Sequence, residues 1–248
     1  ITVKGLVINR FSQNGVRVGS ANNLIISGNY IGTDPTGLIN RGNAKDGVID
    51  RDGASGTGNV IGGILPADRN IISGNIGAGL EIIENINLTV KGNYIGLAAS
   101  GTAILPNTGT GVGNNNIYIA ESTNGNIGGS NIADKNVISG STGAGIALFN
   151  TAGMKIQGNY IGTNGAGQVQ GGIGNTSIGV VLVGETQNTL VGGIDSGEGN
   201  VIAGNGSGVS VGDFLGSLLA LNNSILGNSI HDNTGGVLTT LGIDLLGN

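Results

Sequence analysis

Apolar residues occur at alternate positions in short runs of three to five along the chain, and glycine and asparagine separate the runs. The segments GVRV at 15–18, GLEI at 79–82 and GVSV at 208–211 are examples. A period of two is typical of β-strands that bury one face. No window keeps the i, i+3, i+4, i+7 spacing long enough to indicate a helix. The pattern therefore predicts an all-β protein made of many short strands.

These short strands belong to an internal repeat. The word GNYIG occurs at 28–32, 92–96 and 158–162, at intervals of 64 and 66 residues. A second word, Asn-(Ile/Val)-Ile-(Ser/Ala)-Gly, begins at Asn70, Asn136 and Asn200 and keeps nearly the same interval. Because the two words alternate, we expect three short strands in each unit of about 32 residues, with about eight units stacked along one axis. This arrangement is a parallel β-solenoid that rises about 4.8 Å per rung.

One asparagine recurs at the same place in almost every unit. A tight turn between two strands favours residues that tolerate a positive φ, and glycine and asparagine are the least costly choices. Stacked side-chain amides can also donate to, and accept from, the copies above and below them. We therefore predict a buried ladder formed by Asn29, Asn70, Asn93, Asn136, Asn159, Asn200 and Asn228.

The words GNYIGTDPTG at 28–37, NVIGG at 59–63 and NVISG at 136–140 resemble the repeats of large bacterial surface and secreted proteins. Those proteins contain right-handed parallel β-helices, a fold shared with pectate lyases and polygalacturonases. The resemblance covers the whole chain and implies one domain, residues 1–248, folded as a right-handed single-stranded parallel β-helix with three sheets.

The resemblance also implies an order of sheets within each rung. The Gly-apolar-x-apolar strand forms the first sheet, and the asparagine turn joins the second sheet to the third. Three long segments, 33–46, 97–115 and 163–177, are then expected to return the chain to the first sheet. Strand patterns reach both termini, so we expect a piece of a longer chain, or a domain that associates end to end.

Composition excludes several classes of protein. The chain has 52 glycines, no cysteine and one histidine, so disulfide scaffolds, thiolate metal sites and His-rich metal sites are ruled out. The net charge is −5, and every Lys and Arg lies at or before Lys155, so we expect neither a nucleic-acid partner nor a polybasic membrane patch. No apolar run reaches the ~18 residues of a membrane span. The composition favours a secreted or cell-surface protein.

In pectate lyases and polygalacturonases, the substrate groove lies on the outward face of the first sheet. The charged residues predicted near that face lie in its N-terminal half. The candidate site residues are Arg17, Asp46, Asp50, Asp52 and Glu81, with Arg51 and Glu84 expected beside them. Clustered carboxylates can act as an acid and base in glycoside cleavage, and the three aspartates are weak candidates for Ca²⁺ ligands. The polygalacturonase words Asn-Thr-Asp, Asp-Asp, Gly-His-Gly and Arg-Ile-Lys are missing. The alternative is a solvated turn with local ion pairs.

A second candidate surface is aromatic. Tyr30, Tyr94 and Tyr160 follow the ladder asparagine in every second unit, and Tyr118 is expected on the outward face of the first sheet. The expected spacing of two rungs is about 9.6 Å, close to a disaccharide repeat, so these rings are candidates for stacking on sugars. The alternative is that the long segment after each tyrosine folds back and covers it.

These observations predict a non-enzymatic structural or adhesive β-helix module of a bacterial extracellular or cell-surface protein, with no cofactor apart from possible Ca²⁺. Two alternatives stay open at this point. One is a polysaccharide lyase or hydrolase that uses the charged cluster, and the other is a glycan-binding module that uses the tyrosines.

Overall fold

The computed structural model describes residues 1–51, 56–212, 220–234 and 241–245. Its strands form three parallel eight-stranded sheets, and successive strands in each sheet come from successive turns of the chain. The protein is therefore a parallel β-helix of about eight rungs, as the repeats predict.

Sheet 1 contains the Gly-apolar-x-apolar strands: Val16–Val18, Val48–Asp50, Leu80–Ile83, Ile117–Ala120, Ile146–Phe149, Ile178–Val183, Ser207–Val211 and Ile243–Leu245. Sheet 2 contains Thr2–Lys4, Ile25–Ser27, Val60–Gly62, Thr89–Lys91, Asn126–Gly128, Lys155–Gln157, Leu190–Gly192 and Ser224–Leu226. Sheet 3 contains Val7–Ile8, Tyr30–Ile31, Ile71–Ile72, Tyr94–Ile95, Val137–Ile138, Tyr160–Ile161, Val201–Ala203 and Ser229–His231. Gly56–Thr57 pairs with Asn85–Ile86, and short 3₁₀ helices cover Pro66–Asp68, Gly111–Asn114 and Ile132–Asp134.

Sheets 2 and 3 each send one column of aliphatic side chains into a single core, and sheet 1 sends two. Ile26, Ile31 and Leu80 are fully buried members that represent the second, third and first sheets. Equivalent residues on neighbouring rungs are paired in register, for example Ile31 with Ile72. Burial of such a side chain is worth about 1.5–3 kcal/mol before entropy is subtracted. The stack therefore supplies the stability that one rung cannot provide alone.

The asparagine ladder lies at the corner between sheets 2 and 3, as predicted. Each side-chain amide donates to the Oδ1 of the next asparagine, with donor–acceptor distances of 2.8–3.1 Å from Asn29 through to Asn228. The same Oδ1 accepts a backbone N–H from the preceding asparagine, as Asn136 does from Asn93 at 3.0 Å. Both halves of each amide are thus used inside the stack.

A second asparagine ladder, which the sequence analysis did not predict, lies at the corner between sheets 3 and 1. Its amide-to-amide distances are 2.8–3.2 Å, and it consists of Asn43, Asn75, Asn107, Asn116, Asn175, Asn205 and Asn233. One rung carries Ser141 at this corner, and Asn116, directly before the strand Ile117–Ala120, bridges Asn107 to Asn175 there. The ladder is therefore continuous although its spacing along the chain is irregular.

The three long segments return the chain to sheet 1 on alternate rungs, as predicted. The first two fold back as hairpins, closed by antiparallel bridges between Thr33 and Asn40 and between Leu97 and Ile104. Neighbouring segments also contact each other across two rungs, since Ala99 N donates to Gly37 O at 2.9 Å. The described residues include no helix long and apolar enough to cross a membrane.

The last glycine of the GNYIG word has a steric role. Gly96 has a φ of +80°, which L side chains rarely adopt. A Cβ at Gly96 would also collide with the backbone oxygen of Ser139 on the next rung. This glycine therefore recurs in each copy of the word because successive turns of the chain approach closely there.

Candidate functional site

An open cavity of about 500 Å³ lies on the outward face of sheet 1 in its N-terminal half. Its walls include Arg17, Asp46, Arg51 and Glu81. Three of the predicted site residues, Arg17, Asp46 and Glu81, are thus brought to one cavity, which we call the charged cleft. The 3₁₀ helix Gly111–Asn114, part of a long segment, contributes to another wall.

Glu81 lies in the middle of a strand, in register with Ile49 on one side and Tyr118 on the other. Its side chain points outward, but only 5% of the residue is exposed. Arg51 Nη1 donates to Glu81 Oε1 at 3.0 Å. Burial raises the pKa of Glu81, the negative charge of Asp46 raises it further, and Arg51 opposes both effects.

Asp46 precedes the strand Val48–Asp50 and is 7% exposed. Its Oδ1 accepts the backbone N–H of Ala78 at 2.8 Å, while its own backbone N–H donates to Asn14 Oδ1 at 3.0 Å. Burial raises the pKa of Asp46, and the hydrogen bond from Ala78 opposes that shift. The charged cleft therefore contains two neighbouring carboxyl groups that both favour the protonated form more than a solvated carboxyl does.

Asp50 points to the inside of the coil, on the opposite face of sheet 1 from Glu81, because side chains alternate along a strand. Its Oδ2 accepts the side-chain amides of Asn85 at 2.8 Å and Asn59 at 3.2 Å. The expectation that Asp50 joins the other acids of the cluster is therefore wrong, and its contacts are those of a structural acceptor at the corner between sheets 1 and 2. Asp52 lies outside the described residues.

The calcium candidates Asp46 and Asp50 lie on opposite faces of sheet 1. In the part of the chain that the structure describes, no three His, Asp or Glu side chains group closely enough to hold a metal ion. The described geometry thus gives Ca²⁺ no set of carboxylate ligands of the usual kind.

The predicted tyrosine column exists, with Tyr30, Tyr94 and Tyr160 in register on sheet 3 between aliphatic residues. All three are half-buried. Arg69 lies 4.2 Å from the ring centre of Tyr94, and Lys135 lies 3.5 Å from that of Tyr160.

The long segments also contact these rings. A Cβ built at Gly101 would lie 3.1 Å from the Tyr94 ring, and one at Gly167 would lie 2.7 Å from the Tyr160 ring. The rings are therefore partly covered, in the manner of the alternative interpretation, and their use in sugar stacking stays a prediction.

Tyr118 lies beside Glu81 on sheet 1, and burial together with the charge of Glu81 raises its pKa. Beyond Tyr118 the outward face becomes apolar. Ala147 and Val181, which follow Tyr118 in register on the outward face, are only 5% and 8% exposed and pack with Ala144 and Ile178. The charged cleft is therefore confined to the N-terminal half of the face.

The pairing of Arg51 with Glu81 was not predicted, and Asn14 was not among the predicted site residues. Arg51 follows a strand whose alternation is visible, but no spacing rule indicates that it turns towards Glu81. Asn14 carries no distinguishing signal in a chain so rich in asparagine.

The chain has no significant match to any protein-family model, to any curated protein or to any solved structure. Its own geometry is therefore the basis for any functional assignment.

Proposed function

We propose that this chain is a non-enzymatic structural or adhesive β-helix module of a bacterial extracellular or cell-surface protein. The observation that carries the proposal is the pair of continuous asparagine ladders. Fourteen buried or partly buried asparagines use the side-chain NH2 group and Oδ1 to form hydrogen bonds with one another and with the backbone. The interior amides of both ladders thus serve the continuity of the stack.

Such a stack suits a load-bearing rod. The ladder hydrogen bonds and the sheet hydrogen bonds both run along the axis, so a force that separates two rungs must break several of them together. Each rung also shares its aliphatic core with its neighbours, which makes rung separation cooperative. An extracellular protein that must hold a binding surface away from a cell benefits from this stiffness.

The proposal is tested by pairing a mechanical with a chemical measurement. Single-molecule pulling from the two termini should give high unfolding forces, which fall in the Asn136→Ala variant and stay unchanged in the exposed control Asn126→Ala. Incubation with polygalacturonate, with and without Ca²⁺, should release no sugar ends. A chain that unfolds at negligible force, or that cleaves the polymer, would contradict the proposal.

The charged cleft favours a second candidate, cleavage of an acidic polysaccharide. Glycoside hydrolysis uses a general acid with a raised pKa beside a second carboxyl group that ionises, and the cleft places Glu81 and Asp46, both with raised pKa values, side by side. In this scheme one of Glu81 and Asp46 donates a proton to the leaving glycosidic oxygen, and the other, ionised, removes a proton from the water that attacks the anomeric carbon as that bond breaks. Arg17 and Arg51 hold the uronate carboxylate by charge-assisted hydrogen bonds.

This second candidate has a direct test. If it is correct, the chain releases sugar ends from an acidic polymer, and Glu81→Gln or Asp46→Asn reduces the rate about 100-fold or more. Asp68→Asn is the matched control, because Asp68 pairs with Lys4 outside the cleft. Cleavage that survives in both cleft variants would exclude these residues as the acid and its partner.

A further inference from the structure

Three loops form a row of raised apolar points at the corner between sheets 2 and 3. They cover residues 64–69, 130–135 and 194–199, and each follows a Gly-Gly pair. Their most exposed aliphatic side chains are Leu65, Ile132 and Ile194, with 59%, 79% and 86% of the residue exposed. The loops belong to alternate rungs, so they repeat about every 9.6 Å along the axis, with the three side chains five, four and six residues before Asn70, Asn136 and Asn200. We call this row the aliphatic ridge.

Hollows separate the points of the aliphatic ridge. The first hollow, of about 310 Å³, is lined by Leu65 and Ile132 at its two ends and contains Arg69 and Lys135. The second hollow, of about 190 Å³, is lined by Ile132 and by Gly197 of the third loop. The loops that carry the exposed side chains and the hollows between them therefore alternate along the aliphatic ridge, about 4.8 Å apart.

Charge changes sign along the same line. The first 155 residues contain all ten Lys and Arg, whereas residues 156–248 contain six acids and neither Lys nor Arg. On the ridge itself, Arg69 and Lys135 lie in the first hollow, and the third loop carries Asp195 and Glu198 beside Ile194. The acids of the first two loops, Asp68 and Asp134, are already paired with Lys4 and Lys91.

We propose that the aliphatic ridge binds a second copy of this chain, side by side and antiparallel. A second copy presents loops with the same spacing as the hollows, because both follow the two-rung repeat. In the antiparallel orientation, Ile194 of one copy enters the first hollow of the other, which brings Asp195 and Glu198 to Arg69 and Lys135. A parallel neighbour would instead place like charges side by side, which opposes association.

This arrangement is an isologous contact about a two-fold axis perpendicular to the helix axis. With Ile194 in the first hollow and Ile132 in the second, the two Ile132 side chains are offset by about 4.8 Å along the axis. The two Ile194 side chains are about 14 Å apart along the axis. Leu65 of one copy lies about 4.8 Å along the axis from Ile194 of the other.

These distances give a cross-linking test that the chain suits well, because it has no cysteine of its own. A disulfide needs Cα atoms closer than about 7 Å. The Ile132→Cys variant should form a disulfide dimer on mild oxidation, and the Ile194→Cys variant should not. A mixture of the Ile194→Cys and Leu65→Cys variants should form the mixed dimer. Equal cross-linking of the Ile132→Cys and Ile194→Cys variants would instead indicate a parallel pair and overturn the proposal.

Association without cross-links is measured by sedimentation over a range of concentrations. The native chain should dimerise at low ionic strength, and about 0.5 M NaCl should weaken the dimer because it screens the facing charges. Ile132→Asp should weaken association about tenfold or more, since it places a charge in an apolar contact. Ile76→Asp is the matched control, being 60% exposed but at the wall of the charged cleft.

Circular dichroism of each variant establishes that the fold is kept. A native chain that sediments as a monomer at every concentration, or dimers that Ile132→Asp and Ile76→Asp weaken equally, would overturn the proposal.

Discussion

The asparagine ladders and the charged cleft both bury polar side chains, but they satisfy them in different ways. Asn136 is fully buried, and Glu81 and Asp46 are 5% and 7% exposed. A neutral amide carries its own donor and acceptor, so identical copies one rung apart satisfy each other. A carboxylate only accepts hydrogen bonds, so an identical carboxylate one rung away cannot be its partner. It needs a donor of another kind, such as Arg51 or the backbone N–H of Ala78. Repetition therefore stabilises the interior, whereas departures from repetition create the chemistry of the surface.

The largest loss of unfolding free energy is expected when the first ladder is interrupted. Asn136→Ala removes the acceptor of the Asn93 backbone N–H, at 3.0 Å, and the donor to the Val90 carbonyl oxygen, at 2.8 Å. Each unsatisfied buried group costs about 1–3 kcal/mol, so we expect a loss of about 3–5 kcal/mol in unfolding free energy. Urea denaturation measures it, with exposed Asn126→Ala as control. A loss below about 1 kcal/mol would show that the ladder is not stabilising.

The second ladder should respond nearly as strongly. Asn205 accepts from Asn175 at 2.8 Å and donates to Asn233 at 3.0 Å. We expect Asn205→Ala to lower the unfolding free energy by about 2–4 kcal/mol. Hydrogen exchange should then show faster exchange of backbone amides on the rungs next to it. If exchange is unchanged there, the second ladder has no structural role.

The charged cleft should give a pH dependence. The ordinary pKa values of Asp46 and Glu81 are 3.8 and 4.5, and both are raised in the folded protein. A raised carboxyl pKa means that the folded state holds its proton more tightly than the unfolded state. The resulting stabilisation is complete below the ordinary pKa and is lost as pH rises through the folded value.

Unfolding free energy should therefore fall as the pH rises from below 3.8, and Glu81→Gln should make that fall shallower. Denaturation at a series of pH values measures the slope. An unchanged slope in Glu81→Gln would mean that its pKa is not raised in solution.

The smallest effect is expected at the surface pair of Lys4 and Asp68, 2.8 Å apart. The pairing lowers the pKa of Asp68, so its contribution has the opposite sign and is lost as pH falls through the folded value. Lys4→Ala should change stability least of this set, and added salt should reduce the difference further. A change as large as that of Asn136→Ala would contradict the view that surface pairs contribute little here.

The sequence predicts most of this fold because the same pattern of apolar residues and asparagine recurs from rung to rung. Alternation places Ile26 and Ile31 in the core, and the repeated asparagine word places the first ladder. The second ladder escapes prediction because long segments of unequal length separate its members, and Asn116 takes part from a neighbouring rung.

The site is less predictable for a related reason. The alternation of apolar residues identifies which residues of sheet 1 face outward. It does not reveal which of these outward-facing residues become buried. Glu81 is covered by Arg51 and a long segment, and Val181 lies in an apolar cluster. These contacts join parts of the chain that share no periodicity, so only the folded coordinates bring them together.

The stacking of the long segments has a consequence for how such a chain grows. Gly37 and Ala99 meet across two rungs, and Gly101 and Gly165 meet in the same way. Copying a single turn by gene duplication would leave two hairpins competing for one level, whereas copying two turns extends the series without a clash. Lengthening of this protein over evolutionary time is therefore expected to proceed in even numbers of turns, and natural length variants would differ by multiples of about 65 residues.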